Sequence, residues 1–419
     1  MLLVDFQGIF CYTQHRQKKQ NKKEEGIIVR QQRIVIIGGG IVGLSTAYAL
    51  LTAGVKQVTV LEQEAVNHCR ASSHGTSRLL RFEYGSDLFY SNMVRLSLSR
   101  WQQLEHLSRR TLYTPTGLLI LGSEHDSFTR SSYHIMHKLH MSSERLSKQH
   151  CQQRFPQFAS HSHDFITYNT EAGILHASTC LHTLKDMIYD LGGTIYESCR
   201  VTHIGSNGTS HPVRLHTSTG TELLADRVVA ATGAWVHRLL ADLCLPVRLT
   251  RQYLLYFAGL PLSSFGVNAF PAFMTGDDLY GFPIHYSSSR DYGPHWFKAA
   301  SHTLGTPIDP DNILPPEPQE IEPVSCRLKA LLPALEQAQL VHIDSCMYDV
   351  SPDEDFILDY LPHNERIVLA TGLSGHGFKF GLLLGEILSS MVCHTPPPVP
   401  LDRFRLARFA HRHQPASVA

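Results

Sequence analysis

The stretch RIVIIGGGIVGLSTAYALLTAGVKQVTVLEQ, residues 33–63, predicts a strand, a glycine-rich turn, a helix and a second strand. Residues 34–37 are continuously apolar, as a strand buried on both faces of a parallel sheet should be. Gly38, Gly40 and Gly43 follow in the spacing G-x-G-x-x-G. The first permits a tight turn, the second lets the backbone approach a pyrophosphate, and the third lets helix and strand pack closely. The complete unit predicts a dinucleotide site.

The residues after this turn narrow the choice of dinucleotide. A helix over 41–53, ended by Gly54, offers its N-terminal amides and its positive dipole end to phosphate. Glu62 ends the second strand, 57–61, where a carboxylate can accept both ribose hydroxyls. That placement favours FAD or NAD over NADP, whose ribose carries a phosphate.

Three later segments favour FAD over NAD. They are VTHIGSNG (201–208), which follows a helix predicted over 180–191, RVVAATGAW (227–235) and RIVLATGLSGHGF (366–378). The last two read as buried strands that run into glycines, Gly233 and Gly372. Such strands near the C-terminus are typical of the way the isoalloxazine end of FAD is enclosed, whereas nicotinamide dehydrogenases usually keep their cofactor strands within one half of the chain.

Composition excludes several classes of protein. The 419 residues are 43% hydrophobic and 18% charged with zero net charge, so no basic field predicts binding to nucleic acid or to an anionic membrane. No apolar run reaches 18 residues. The nine cysteines include no CxxC pair, and HIMHKLH (134–140) reads as a solvated helix face, so we predict no metal. Odd, scattered cysteines favour a reducing compartment, and we expect a cytoplasmic location.

One cysteine stands out as a candidate tether for a cofactor. Cys346 lies in DSCMYDVSPDEDFILD (344–359), between the two nucleotide-type glycine clusters of the chain. A buried cysteine is more often an inert core residue, and its thiol is reactive only in particular surroundings. Its position between the two glycine clusters nevertheless predicts a tether for the cofactor.

Four signatures resemble one family of flavoenzymes. They are SSHGTSRLLRFEYG (72–85), MTGDDLYGFP (274–283), FKAASHTLGTPIDPDNI (297–313), and SCMYDVSPDEDFILD (345–359) together with SGHGFKF (374–380). Over roughly residues 33–405 the chain resembles the FAD-dependent amine oxidases related to D-amino-acid oxidase. Within them it is most similar to the branch of monomeric sarcosine oxidase, N-methyltryptophan oxidase and peroxisomal sarcosine/pipecolate oxidase.

The resemblance implies roles for individual residues. Cys346 matches a cysteine joined to the flavin by a thioether, Arg78 an arginine beside the flavin ring, and Lys298 a lysine where oxygen is activated. Arg81 and Lys379 match the two cations that hold the substrate carboxylate. The residues expected to line the substrate cavity are Met274, Tyr280, His302 and Tyr348. Further expected contacts to FAD come from Ser72, Ser77, Val201, Gly233, Gly372, Gly375 and Gly377, besides Gly38, Gly40, Gly43 and Glu62.

Those residue types suit the oxidation of an amino acid at carbon. Arginine offers a planar fork matched to a carboxylate, and lysine adds a point charge. A cation at Lys298 would stabilise negative charge that forms only while oxygen is reduced.

The chain departs from the family pattern at three places. Ser77 stands where bacterial sarcosine oxidases have threonine, the link from Met274 to Tyr280 is shorter, and 285–296 carries extra polar and aromatic residues. The amine substituent therefore stays open.

The resemblance implies an α/β fold. A Rossmann-type FAD-binding domain (33–112, 172–247 and 353–405) is interleaved with a substrate domain (113–171 and 248–352) built on a mixed, largely antiparallel sheet. Residues 1–32 read as a disordered leader and 406–419 as a tail.

We expect a monomeric oxidase that takes a small secondary amino acid such as sarcosine and molecular oxygen. Three alternatives are a dehydrogenase of the same fold, an oxidase of cyclic or primary amino acids, and a non-catalytic FAD-binding protein.

Overall fold

A computed structural model describes residues 31–205, 211–285, 293 and 295–413. The expected leader therefore lies almost wholly outside the described residues, as do most of 285–296 and the end of the segment 201–208.

The strands of the described residues are numbered in chain order. They are β1 (Arg33–Ile37), β2 (Gln57–Leu61), β3 (Ser77–Leu80), β4 (Tyr113–Thr114), β5 (Leu118–Gly122), β6 (Ser143–Leu146), β7 (Phe165–Asn169), β8 (Gly173–His176), β9 (Thr194–Tyr196), β10 (Val201–Gly205), β11 (Val213–Thr217), β12 (Glu222–Ala225), β13 (Arg227–Ala230), β14 (Arg248–Ala258), β15 (Ala272–Thr275), β16 (Leu279–Phe282), β17 (Phe297–Ser301), β18 (Gln339–Val350), β19 (Ile357–Leu361) and β20 (Asn364–Thr371).

The helices alternate with these strands. The α-helices are α1 (Ile41–Thr52), α2 (Leu88–Ser108), α3 (Ser127–Lys138), α4 (Lys148–Arg154), α5 (Ala177–Asp190), α6 (Val236–Leu239), α7 (Leu262–Phe265), α8 (Pro318–Leu331) and α9 (Gly381–Cys393). Short 3₁₀ helices cover Ser160–Ser162, Gly233–Trp235, Ala241–Leu243, Pro333–Glu336, Phe378–Phe380, Asp402–Phe404 and Leu406–His413. The last of these lies in the expected tail, and its Phe409 is buried.

A six-stranded sheet carries the predicted dinucleotide unit. Its order is β19-β20-β13-β1-β2-β9, parallel throughout except for the antiparallel pair β19/β20. Helices α1 and α9 pack closely, because glycines remove side chains between them. A Cβ added at Gly385 would lie 2.3 Å from the carbonyl oxygen of Ser45. The apolar strands and these two helices share the largest hydrophobic core.

An eight-stranded sheet forms the second layer of strands. Its order is β18-β14-β17-β16-β15-β5-β7-β6, antiparallel except for the parallel pair β15/β5. Two three-stranded antiparallel sheets, β10-β11-β12 and β3-β8-β4, complete the fold. The predicted α/β class, with a parallel sheet and a mixed, largely antiparallel one, is confirmed.

The two large sheets come from different parts of the chain. Every strand of the six-stranded sheet falls within 33–112, 172–247 or 353–405, and every strand of the eight-stranded sheet falls within 113–171 or 248–352. The domain boundaries themselves remain a prediction. Among the described residues, no helix is both long enough and apolar enough to cross a bilayer.

Gly38 is expected to tolerate no side chain. Its φ is +108°, and a Cβ there would lie 2.3 Å from the carbonyl oxygen of Ala231. We expect Gly38→Ala to lower the free energy of unfolding by more than the about 1–3 kcal/mol of backbone strain alone. Gly192→Ala is the matched control, because Gly192 has φ +84° but nothing within 4 Å of an added Cβ. Equal losses in urea unfolding of the two variants would contradict the clash at Gly38.

Candidate active site

Two adjoining cavities hold most of the predicted site residues. The inner cavity is lined by thirteen of them: Ser72, Ser77, Arg78, Arg81, Met274, Tyr280, Lys298, His302, Cys346, Tyr348, Gly375, Gly377 and Lys379. The second cavity, which we call the cleft, is lined by Gly38, Gly40, Glu62, Ser72, Val201 and Gly233. Ile41, Ser72, Ser73, Asp349 and Leu373 line both cavities. The two spaces are therefore neighbours, and a long ligand could extend from one into the other.

The cleft lies where α1 begins, at the carboxyl end of β1. Gly40 is the N-cap residue of the helix and makes no capping bond of its own, since it has no side chain. The amide of Ile41 donates to Ser73 Oγ at 3.0 Å. Thr232 lines the cleft, and its hydroxyl is buried without a hydrogen-bond partner among the described residues. Glycine backbone, a helix N-terminus and an unsatisfied hydroxyl together suit a dinucleotide phosphate.

Glu62 lines the cleft. It is 5% exposed, and its Oε2 accepts from the amide of Gly39 at 2.6 Å. Its Oε1 accepts from the amide of Glu64 at 3.0 Å. These bonds hold the carboxylate at the end of β2, the position from which a ribose would be bound. The cleft residues thus fit the adenosine half of FAD.

Arg81 and Lys379 meet in the inner cavity from opposite parts of the chain. Arg81 follows β3, and Lys379 is the middle residue of the 3₁₀ helix Phe378–Phe380. Arg81 Nη1 is buried and has no hydrogen-bond partner within the described part of the chain. Burial, and next the charge of Arg81, lower the pKa of Lys379 well below its usual value. Two cations held together without a bound anion are costly, so the pair favours an anionic ligand.

Lys298 projects into the same cavity from β17. Its Nζ donates to the carbonyl oxygen of Ser77 at 2.9 Å and lies 5.0 Å from the centre of the Phe282 ring. Burial, and next the charge of Arg78, lower the pKa of Lys298 well below its usual value. Arg78 is itself fixed, because its guanidinium donates to the carbonyl oxygens of Ser77 and Ser72 at 2.9 Å each.

Cys346 lines the inner cavity from β18. It is 9% exposed, and its Sγ lies 3.8 Å from the carbonyl oxygen of Ser72. Burial raises the pKa of its thiol, while Arg78 and Lys298 oppose that shift. The thiol is therefore neutral at rest but lies beside two cations that would stabilise a thiolate.

The expected substrate-lining residues form a polar wall with one thioether. The hydroxyls of Tyr280 and Tyr348 hydrogen-bond to each other, and burial raises the pKa of Tyr280 to about 12. The ring of His302 lies 6.3 Å from that of Tyr280 and 5.8 Å from that of Tyr348. Burial, with Arg81 and Lys379, lowers the pKa of His302 to about 4. His302 is therefore neutral near pH 7. Met274 is paired with Tyr280 across β15 and β16.

Two predicted cofactor residues, Gly43 and Gly372, line neither cavity. A Cβ on Gly43 would lie 1.8 Å from the carbonyl oxygen of Gly38, so Gly43 serves packing. The amide of Gly372 donates to Asp349 Oδ2 at 2.7 Å. That buried carboxylate also accepts from the hydroxyl of Thr371 at 3.1 Å. The roles assigned to all of these residues remain predictions.

Three further residues bear on the site although no sequence pattern singled them out. Tyr84 contacts both cations of the inner cavity, and His376 and Asp349 line it. Each lies inside a quoted signature, in FEYG, SGHGF and CMYD respectively. Membership of these motifs was the only sequence signal for the three residues. Their contacts join distant segments of the chain and become visible only in the folded structure.

No metal centre is found within residues 31–205, 211–285, 293 and 295–413. No three His, Cys, Asp or Glu side chains there come together as metal ligands would. His134 and His137 are exposed on α3.

The comparisons with known proteins agree with this geometry. The profile of a family described as FAD dependent oxidoreductase (DAO) matches residues 33–391. Human peroxisomal sarcosine oxidase is 32% identical over 381 residues, covering 88% of this chain and 94% of that protein. N-methyl-L-tryptophan oxidase of Yersinia pestis is 30% identical over 377 residues, covering 88% and 97%. The crystal structure of glycine oxidase from Geobacillus kaustophilus has the same fold, with a TM-score of 0.75 at 20% identity, covering 90% and 99%.

Proposed function

The chain belongs to the FAD dependent oxidoreductase family, and on that premise we propose that it oxidises the C–N bond of a small secondary amino acid such as sarcosine. The observation that carries this proposal is the meeting of Arg81, Lys379 and Lys298 in one buried cavity that adjoins the dinucleotide cleft. The names of the two sequence relatives support an N-methyl amino acid as substrate. We propose a monomer, and the cytoplasmic location remains a prediction, since one relative is named peroxisomal.

Each group of residues has a distinct task in this proposal. When bound, FAD would supply the redox chemistry by which the amine is oxidised to an imine and oxygen is reduced to hydrogen peroxide. Arg81 and Lys379 bind the carboxylate. Their charges also lower the pKa of the substrate amine, which favours its reactive neutral form. Tyr280, Tyr348 and neutral His302 enclose the amine end.

A peroxide assay on an amino-acid panel tests this function. The panel contains sarcosine, N-methyltryptophan, pipecolate, proline and glycine, each with oxygen and, separately, without oxygen but with an artificial electron acceptor. We expect peroxide with a secondary amino acid. Turnover only with the artificial acceptor would make the protein a dehydrogenase. No reduction of the flavin by any member would refute amino-acid oxidation.

We further propose that FAD is bound covalently through Cys346. Acid precipitation of the FAD-loaded protein should then give a yellow pellet, with the mass of FAD on the peptide that contains Cys346. Cys346→Ser should release all flavin to the supernatant. Cys199→Ser is the matched control, because Cys199 lines the cleft rather than the inner cavity and is half-buried. Free flavin from the loaded parent protein would refute the covalent bond.

A further inference from the structure

Tyr84 touches both cations of the inner cavity. Lys379 Nζ donates to Tyr84 Oη at 2.9 Å. The guanidinium carbon of Arg81 lies 4.6 Å from the centre of the Tyr84 ring, within the range of a cation–π contact. Lys379 also donates to the carbonyl oxygen of His376 at 3.0 Å. One phenol therefore contacts both groups that are proposed to bind the substrate carboxylate.

The hydrogen bonds around Tyr84 can run in only one direction. Lys379 Nζ donates to Tyr84 Oη, so the phenol oxygen is the acceptor in this bond. His376 Nε2 lies 3.1 Å from the carbonyl oxygen of Glu354, which only accepts, so Nε2 carries the proton. Burial, and next Lys379, lower the pKa of His376 well below its usual value, so the ring is neutral and Nδ1 is an acceptor. Tyr84 Oη then donates to His376 Nδ1, at 3.2 Å.

This chain of bonds fixes Lys379 relative to Arg81. Its far end is a backbone carbonyl, and the ring of Tyr84 is stacked on that of Tyr90 with centroids 5.1 Å apart. The phenol therefore cannot move away without breaking the bonds of its Oη to Lys379 and to His376. Arg81 keeps a buried donor, Nη1, that no described residue accepts.

We propose that Tyr84, oriented by His376, is a positioning residue that holds Lys379 and Arg81 as a preformed receptor for a carboxylate. The inference rests on the proposed function for the identity of the ligand, an amino acid rather than a simple amine. Preorganisation of this kind avoids the cost of ordering two long cationic side chains during binding.

The test measures equilibrium binding of acetate, and of its neutral isostere acetamide, to the FAD-loaded full chain. The change in flavin absorbance reports binding. Tyr84→Phe removes only the hydroxyl and keeps the ring under Arg81. We expect acetate affinity to fall roughly 3- to 10-fold, the scale of a single hydrogen bond, with acetamide binding and flavin content unchanged. Tyr90→Phe is the matched control, since Tyr90 Oη is buried without a partner among the described residues and should leave acetate affinity unchanged.

A second pair of variants keeps the inference open to refutation. His376→Leu should weaken acetate binding in the same way, and His376→Asn should restore it, because the amide oxygen can accept from Tyr84. Equal loss for acetate and acetamide in Tyr84→Phe, or no loss for either, would overturn the positioning role. If acetate binding depends on Tyr84 but no amino acid reduces the flavin, the carboxylate receptor stands and the proposed reaction fails.

Discussion

Replacement of Lys298 by methionine is expected to slow the reaction of the reduced protein with oxygen by roughly 100- to 1000-fold, the scale of one lost electrostatic donor in a buried site. Methionine keeps the length of the side chain and removes its charge. Stopped-flow mixing of the photoreduced variant with oxygen measures this step. Anaerobic mixing of the oxidised variant with sarcosine measures flavin reduction, which should change much less.

The pH dependence of the oxygen reaction gives a second measure of Lys298. Burial and Arg78 place its pKa well below the ordinary lysine value, so the ammonium is present only below that lowered pKa. Reoxidation should therefore slow as the pH rises through it, and Lys298→Met should show no such step. Lys185→Met, which removes an ion pair of Lys185 with Glu197 outside both cavities, is the control. Equal losses in both half-reactions would make Lys298 a substrate-binding or structural residue.

Arg81→Ala is expected to lower kcat/KM for the amino acid by roughly 10- to 100-fold, because a charge-assisted hydrogen bond contributes about 1.5–3 kcal/mol. Arg81 Nη1 is a buried donor without an acceptor among the described residues, so the substrate carboxylate is the hydrogen-bond partner that this atom would lose. Steady-state kinetics and acetate binding measure the effect. Arg95→Ala, which removes an arginine exposed on α2, should change neither. A lower melting temperature with unchanged acetate affinity would assign Arg81 to stability instead.

Local structure was largely predictable because its signals are contiguous. The unit from β1 to β2 lies within 31 residues that carry both the apolar strands and the glycine spacing. The helix expected over 180–191 runs instead over Ala177–Asp190, and its N-cap, His176, makes no capping bond with its side chain. A start without Ser, Thr, Asp or Asn gives the sequence little to mark it. The parallel pairing of β5 with β15 is likewise decided by distant packing.

The candidate site was predictable through motifs and not through local pattern. Resemblance singled out Arg81, Lys298 and Lys379, and the fold brings them into one cavity. The bond from Lys379 to Tyr84 joins residues 295 positions apart, and no periodicity reports such a contact. One departure, the segment 285–296, lies mostly outside the described residues, so the substituent on the amine is a question for the substrate panel.

The position of β20 in the six-stranded sheet determines when both cavities can be completed during synthesis. This strand pairs with β13 in parallel and leads into the turn that carries Gly375 and Lys379. Gly372, in the turn after β20, is translated 334 residues after Gly38, in the turn after β1. At about 5–20 residues per second the delay is roughly 17–67 s. Leu373, in this turn, lines both cavities, so neither cavity is complete before β20 and the turn after it have been translated.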